Sequence, residues 1–162
     1  MSIDLLKNIA ELRPVGMALL GLDVGKKTIG VALSDPAQSL ATPLETIKRT
    51  KFTQDILRLQ ALVEEYEVGG FVIGLPVNMD GSEGPRAQSV RDFALELVRY
   101  PEIVGREPWI ALQDERLSTV SVEEAVDNFV DKRKTRIESK QSGLIDKLAA
   151  QVILQSALNG FY

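Results

Sequence analysis

The spacing of apolar residues changes period several times along the chain, and each change marks an element. "GMALLGLDV" and "TIGVALSD" are apolar runs of strand length, separated by Gly25, Lys26 and Lys27. This predicts an antiparallel hairpin. "SLATPLETI" reads as a third strand, with Pro43 placing it at an edge. In "FTQDILRLQALVEEYE" the apolar residues Phe52, Ile56, Leu59, Leu62 and Val63 fall at helical spacing. "GGFVIGLP" is short and continuously apolar, as expected of a strand buried on both faces.

The second half alternates. "SEGPRAQSVRDFALELVRY" predicts a helix with Ser82 as N-cap and Pro85 in its first turn. "PWIALQDE" is a strand, and Trp109 at its start reads as core. "STVSVEEAVDNFV" is a helix opened by the capping box Ser121 to Glu124. "SGLIDKLAAQVILQSALNG" is a long helix capped by Ser142 and stopped at Asn159-Gly160. The leading "MSIDLLKNIAELRP" reads as a short amphipathic lead-in helix over residues 1–16, ahead of a single domain over residues 17–162. The order βββ-α-β-α-β-α-α predicts an α/β fold: an antiparallel meander, then alternating helices and strands, forming a mixed sheet with helices on both faces.

In such sheets, sites gather at the carboxyl ends of the parallel strands, and that rule sorts the acids. Asp23 closes the first strand, and Asp114-Glu115 close the last. If the two strands run parallel, these carboxylates emerge on one edge. Asp35 ends the hairpin's return strand, about 26 Å away at about 3.3 Å per residue, and reads as a turn or capping residue. Asp146 falls on the margin of the final helix's apolar face, one turn from its start. Carboxylates that converge repel one another unless a cation lies between them.

Composition narrows the chemistry. The 162-residue chain has no histidine and no cysteine. This excludes the Ser-His-Asp triad, thiol nucleophiles, disulfides and the usual zinc sites. Carboxylates without imidazole partners suit hard, oxygen-seeking ions, Mg²⁺ or Mn²⁺, as one or two ions. A pair could activate the attacking water and stabilise the leaving oxygen of a phosphodiester. No apolar run reaches the roughly 18–20 residues of a membrane span, so a cytoplasmic protein without membrane contact is expected. The net charge of −4 is not that of a typical nucleic-acid binder, but two segments are basic: "KRTK", Lys48 to Lys51, and "DKRKTRIESK", residues 131–140. Either could be a solvated loop or a phosphate-contacting arm.

Four stretches, "LDVGKKTIGVALSD", "VIGLPVNMDGSEGPRAQSVRDFA", "QDERLSTVSVEEA" and "IDKLAAQVILQ", resemble in order the motifs of the YqgF/RuvX family. The family comprises bacterial pre-16S rRNA nucleases, also described as Holliday junction resolvase-like, with an RNase H-like fold. The resemblance runs from about Met17 to the C-terminus. It implies catalytic, metal-holding carboxylates at Asp23, at the "DER" motif and at Asp146. Glu115 is favoured in that motif, with Asp114 as the alternative, because strand alternation alone does not decide between them. In related RuvC resolvases a carboxylate follows the middle strand, where this chain has "GLP" and no acid.

Substrate handles are then expected at Lys26, Lys27, Asn78, Arg86 and Arg116. The implied activity is metal-dependent hydrolysis of structured RNA at the 5′ end of pre-16S rRNA. Branched DNA, or a non-catalytic RNA-binding role in ribosome assembly, are the alternatives. Ribosomal or assembly partners, and a monomer or weak homodimer, are further expectations. An Asp-x-Gly strand end also resembles the opening of actin-like ATPases and sugar kinases. Those folds bind nucleotide between two copies of such a domain, and this chain has length for one and no Walker motif.

Overall fold

The computed structural model describes residues 2–100, 109–115 and 143–161. Its described elements are β1 (Ser2–Leu5), α1 (Leu6–Ile9), a 3₁₀ turn (Ala10–Leu12), β2 (Ala18–Val24), β3 (Thr28–Ser34), β4 (Ala41–Lys48), α2 (Phe52–Tyr66), β5 (Val68–Leu75), α3 (Pro85–Val98), β6 (Trp109–Asp114) and α4 (Leu144–Asn159). The strands form one sheet in the order β1-β6-β5-β2-β3-β4. Neighbours from β1 to β2 are parallel, and β2-β3-β4 is an antiparallel meander. This is the mixed α/β sheet expected from the sequence, with one strand more.

That extra strand corrects the reading of the N-terminus. Residues Ser2–Leu5 are not helical but pair in parallel with Trp109–Leu112, and helix is confined to Leu6–Ile9 and the following 3₁₀ turn. The apolar residues Ile3, Leu5, Leu6 and Ile9 suit either conformation by spacing alone. The open edge of β6 decides, because pairing there satisfies backbone groups that would otherwise be unpaired. Ile3 and Leu5 then pack on the core, and the indole N–H of Trp109 donates to the Ile9 carbonyl at 2.9 Å.

Alternation along each strand divides the interior into two layers. One face presents Leu20, Leu22, Ile29, Val31, Phe71, Ile73, Ile110 and Leu112 to α2 and α3. The opposite face presents Leu19, Ala32, Val72, Trp109 and Ala111 to α4, which brings Ala150, Ile153, Leu154, Ala157 and Leu158. Leu19, Leu20 and Leu22 are all fully buried, which explains why β2 reads as unbroken apolar sequence. At about 1.5–3 kcal/mol for each fully buried large side chain, these layers supply much of the driving force for folding.

The face against α4 is built for close approach. A Cβ added at Gly21 would lie 2.6 Å from the Leu154 Cβ, and one at Gly30 would lie 2.0 Å from the Asp146 carbonyl oxygen. Glycines there let the helix settle directly on the strands. Two caps differ from expectation. α3 is preceded by Gly84 with Pro85 at its first position, while Ser82 bonds Asn78 and Asp80 within its own loop. α4 starts from Gly143 at φ +77°, whose carbonyl accepts the Thr46 hydroxyl at 2.6 Å. This bond pins the helix start to β4. Ser142 and the predicted helix with its Ser121–Glu124 box lie outside the described residues.

Candidate catalytic site

Asp23 pairs with Gly30 across the hairpin, one residue before the end of β2. Its side chain takes the α4 face, following Leu19 and Gly21 in alternation. Because Gly30 has no side chain, the backbone of Asp146 rests directly upon it. A carboxylate 123 positions later in sequence is thereby placed beside Asp23 (146 − 23). The Thr28 hydroxyl donates to Asp146 Oδ2 at 3.1 Å and fixes that side chain.

Glu115 arrives from the other side. β6 runs parallel to β5, and the Glu115 N–H donates to the Leu75 carbonyl at 3.1 Å, continuing the ladder past Asp114. A Cβ on Gly74 would lie 2.0 Å from Glu115 Oε1, so the carboxylate lies over the bare backbone of β5. The two neighbouring acids are placed differently. Glu115 turns toward Asp23, whereas Asp114 is exposed and lines a different cleft with Leu5, Leu75, Val77 and Leu112. Glu115→Gln is expected to abolish catalytic activity, and Asp114→Asn to reduce it less than about tenfold; parallel turnover assays would check this.

Electrostatics register the crowding. Burial, then the Asp146 charge, pushes the Asp23 carboxyl up to about 6, with Arg86 opposing the shift. Burial, then the Asp23 charge, pushes Glu115 up to about 7, again against Arg86 and with a further push from Asp114. Asp23 is thus the shared member of two repelling pairs. Among the described residues, no group of three or more acids is arranged so that it could hold a metal ion as it stands.

The basic handles divide. Lys26 and Lys27 are exposed in the turn next to Asp23, and Arg86 enters at the second residue of α3. Arg86 and Lys26 line one cleft of about 180 Å³ with Val24, Gly25, Pro85 and Ser89. Asn78 is not brought to the carboxylates by any described contact. Its amide donates to Ser82 Oγ at 3.0 Å and its backbone N–H to the Ser82 carbonyl at 2.9 Å, closing the loop after β5. Arg116 and residues 131–140 lie outside the described residues. Asp35 is at the hairpin's far end, as expected, accepting from the Ser39 and Leu40 N–H groups and the Ser39 hydroxyl. These bonds hold its carboxyl below the usual range.

Two contributors were not foreseen. Thr28 and the first turn of α4 are 118 positions apart, and nothing local in the sequence links them. The glycines at 30 and 74 read as ordinary strand residues until the helix and Glu115 lie on them.

Comparison with known proteins shows the family. Residues 17–160 match the family described as "RuvX: Holliday junction resolvase". The chain belongs to the RuvX family. A RuvX relative from Rhodospirillum centenum, named "Putative pre-16S rRNA nuclease", is 49% identical over 157 residues, covering 95% of this chain and 81% of that protein. One of the same name from Rhodopseudomonas palustris is 54% identical over 147 residues, covering 90% and 85%. Among solved structures, T. thermophilus RuvC in complex with Holliday junction substrate aligns over 85% of this chain and 91% of that one, at a TM-score of 0.48 and 13% identity. No helix among the described residues is long and apolar enough to cross a membrane.

Proposed function

We propose that this RuvX protein is a divalent-cation-dependent endonuclease that hydrolyses phosphodiester bonds in structured RNA, at the 5′ end of pre-16S rRNA. The observation that carries this reading is the convergence on Asp23 of carboxylates from two other elements, Glu115 after β6 and Asp146 on α4. The names of the curated relatives supply the RNA substrate.

The donor chemistry fits a Mg²⁺ or Mn²⁺ ion. All three groups are hard oxygen ligands, two are held at raised pKa by burial and mutual repulsion, and the chain has no softer ligand. Asp23, Glu115 and Asp146, which form no metal-holding group as they stand, would hold the ion once its charge offsets their repulsion. When bound, it supplies positive charge that polarises the phosphate and the attacking water.

The protein's own groups do the rest. Lys26 and Arg86, which share a cleft, hold the phosphate against the carboxylates, and Thr28 keeps Asp146 oriented. The water oxygen bonds to phosphorus as the bond to the leaving oxygen breaks, and the leaving oxygen takes up a proton. Solvent supplies that proton and accepts the one lost by the attacking water. The protein acts in the cytoplasm as a monomer or weak homodimer, with assembly factors or ribosomal proteins as partners.

The family description makes branched DNA the second substrate to test. Purified protein with Mn²⁺ would be offered a labelled pre-16S 5′ fragment and a four-way DNA junction, beside Asp23→Asn. Cleavage of the RNA by wild type alone is expected. Cleavage confined to the junction would move the reading to DNA, and identical products from both proteins would remove it.

A further inference from the structure

The basic segment Lys48 to Lys51 is distant in sequence from the carboxylates, yet the sheet brings it to their edge. Lys48 is the last residue of β4 and pairs directly with Thr28. Cross-strand partners project to the same face. Thr28 reaches Asp146 on the α4 face, and two residues back on β4 Thr46 reaches the start of α4. Lys48 therefore stands on the carboxylate side of the sheet, exposed at its edge. Across that edge the order is Glu115 over β5, Asp23 on β2, Thr28 on β3 and Lys48 on β4.

The segment is also fixed to the turn beside Asp23. The Arg49 N–H donates to the Lys27 carbonyl at 2.8 Å, and the Arg49 guanidinium donates to the Gly25 carbonyl at 2.6 Å. Arg49 is held in turn by Asp55, 3.7 Å away and only 3% exposed, and its guanidinium lies 5.6 Å from the centre of the Phe93 ring. Asp55 Oδ1 accepts from the Thr50 N–H at 3.2 Å. The turn and the segment after β4 form one braced unit presenting Lys26, Lys27, Lys48 and Lys51 outward.

Charge pairing points to a ligand for that unit. Elsewhere on this acidic chain, three surface arginines are matched with acids: Arg58 with Glu45, Arg91 with Glu83 and Arg99 with Glu96. Among the described residues, none of the four lysines forms an ion pair. Gathering like charges on a braced scaffold costs energy unless an anion lies across them.

We propose that Lys48, with the Lys26-Lys27 turn braced to it by Arg49, forms a phosphate-binding track that carries the nucleic-acid backbone away from the scissile position. Lys48 is two strand spacings across and two residues along from Asp23, about 12 Å. At a rise of about 3.4 Å per nucleotide it meets a phosphate about three to four steps along. The proposal rests on the nuclease reading for its substrate class.

The test measures binding of a labelled single-stranded RNA 20-mer without divalent ions over a range of KCl. Lys48→Ala is compared with wild type and with Arg99→Ala, at the far end of α3, after thermal melts confirm that all are folded. Losing one phosphate contact should lower the slope of log K against log salt by about 0.7 and weaken binding several-fold at low salt. Cleavage in Mn²⁺ by Lys48→Ala should show a raised KM at nearly unchanged kcat. A slope and affinity equal to those of Arg99→Ala, or no RNA binding by wild type, overturns the proposal. Asp23→Asn separates the two ideas. If it cleaves like wild type the nuclease reading fails, whereas the salt slope still decides the track.

Discussion

Asp23→Asn is expected to lower phosphodiester cleavage by about 10³-fold or more and, without divalent ions, to make the protein more stable above about pH 7. The first effect follows from Asp23 being common to both carboxylate pairs. The second follows from linkage. Asp23 titrates near 6 in the fold against an ordinary value of 3.8, and Glu115 near 7 against 4.5. Between those values the folded protein binds more protons than the unfolded chain, so stability falls as pH rises. The penalty is absent below about pH 4 and complete above about pH 7. Asparagine removes the Asp23 share, on the order of 1–3 kcal/mol from a shift of about two units. Urea unfolding at pH 4 and pH 8 should show no difference at the lower pH and a more stable variant at the higher. Saturating Mn²⁺ should reverse the order at pH 8, because binding stabilises only the protein that keeps the site.

The second large effect distinguishes two glycines that a sequence reading would treat alike. At Gly30 an added Cβ meets the Asp146 carbonyl oxygen at 2.0 Å and its carbon at 2.4 Å. Those are backbone atoms of a helix, with no rotamer to turn away. Gly30→Ala must lift the first turn of α4 from the sheet, costing about 3 kcal/mol or more and parting Asp146 from Asp23. At Gly74 the Cβ meets Glu115 Oε1 at 2.0 Å and Ile153 Cδ1 at 2.5 Å, both ends of side chains that can swing aside. Gly74→Ala should therefore fold, losing about 1–2 kcal/mol, while displacing Glu115 and losing about 100-fold or more in cleavage. Thermal melts and turnover measured on both variants would check the contrast; equal loss of stability would count against this packing.

Much of this was legible before folding. The hairpin, the buried middle strand and the last helix have periods that match their burial, so local pattern and tertiary environment agree. The separation of Asp23 from Asp35 needed only the length of a strand. What escaped was decided at long range. Ser2–Leu5 joined the sheet because β6 offered a free edge. The placing of the Glu115 carboxylate depends on Gly74 leaving room for it on β5. The role of Thr28 depends on α4 landing on Gly30, and that of Lys48 on cross-strand register. Caps were the least legible feature, since Gly84 and Gly143 opened helices where nearby serines fit the usual signature.

Asp23, Glu115 and Asp146 are proposed to form one cation-dependent site. Calorimetric titration of Mn²⁺ at pH 8 tests it most directly, using wild type, Asp23→Asn and, as a control at the other end of the hairpin, Asp35→Asn. Saturable binding to wild type and Asp35→Asn is expected, with loss of at least about tenfold in affinity, about 1.4 kcal/mol, in Asp23→Asn. Equal affinity in all three proteins would contradict it.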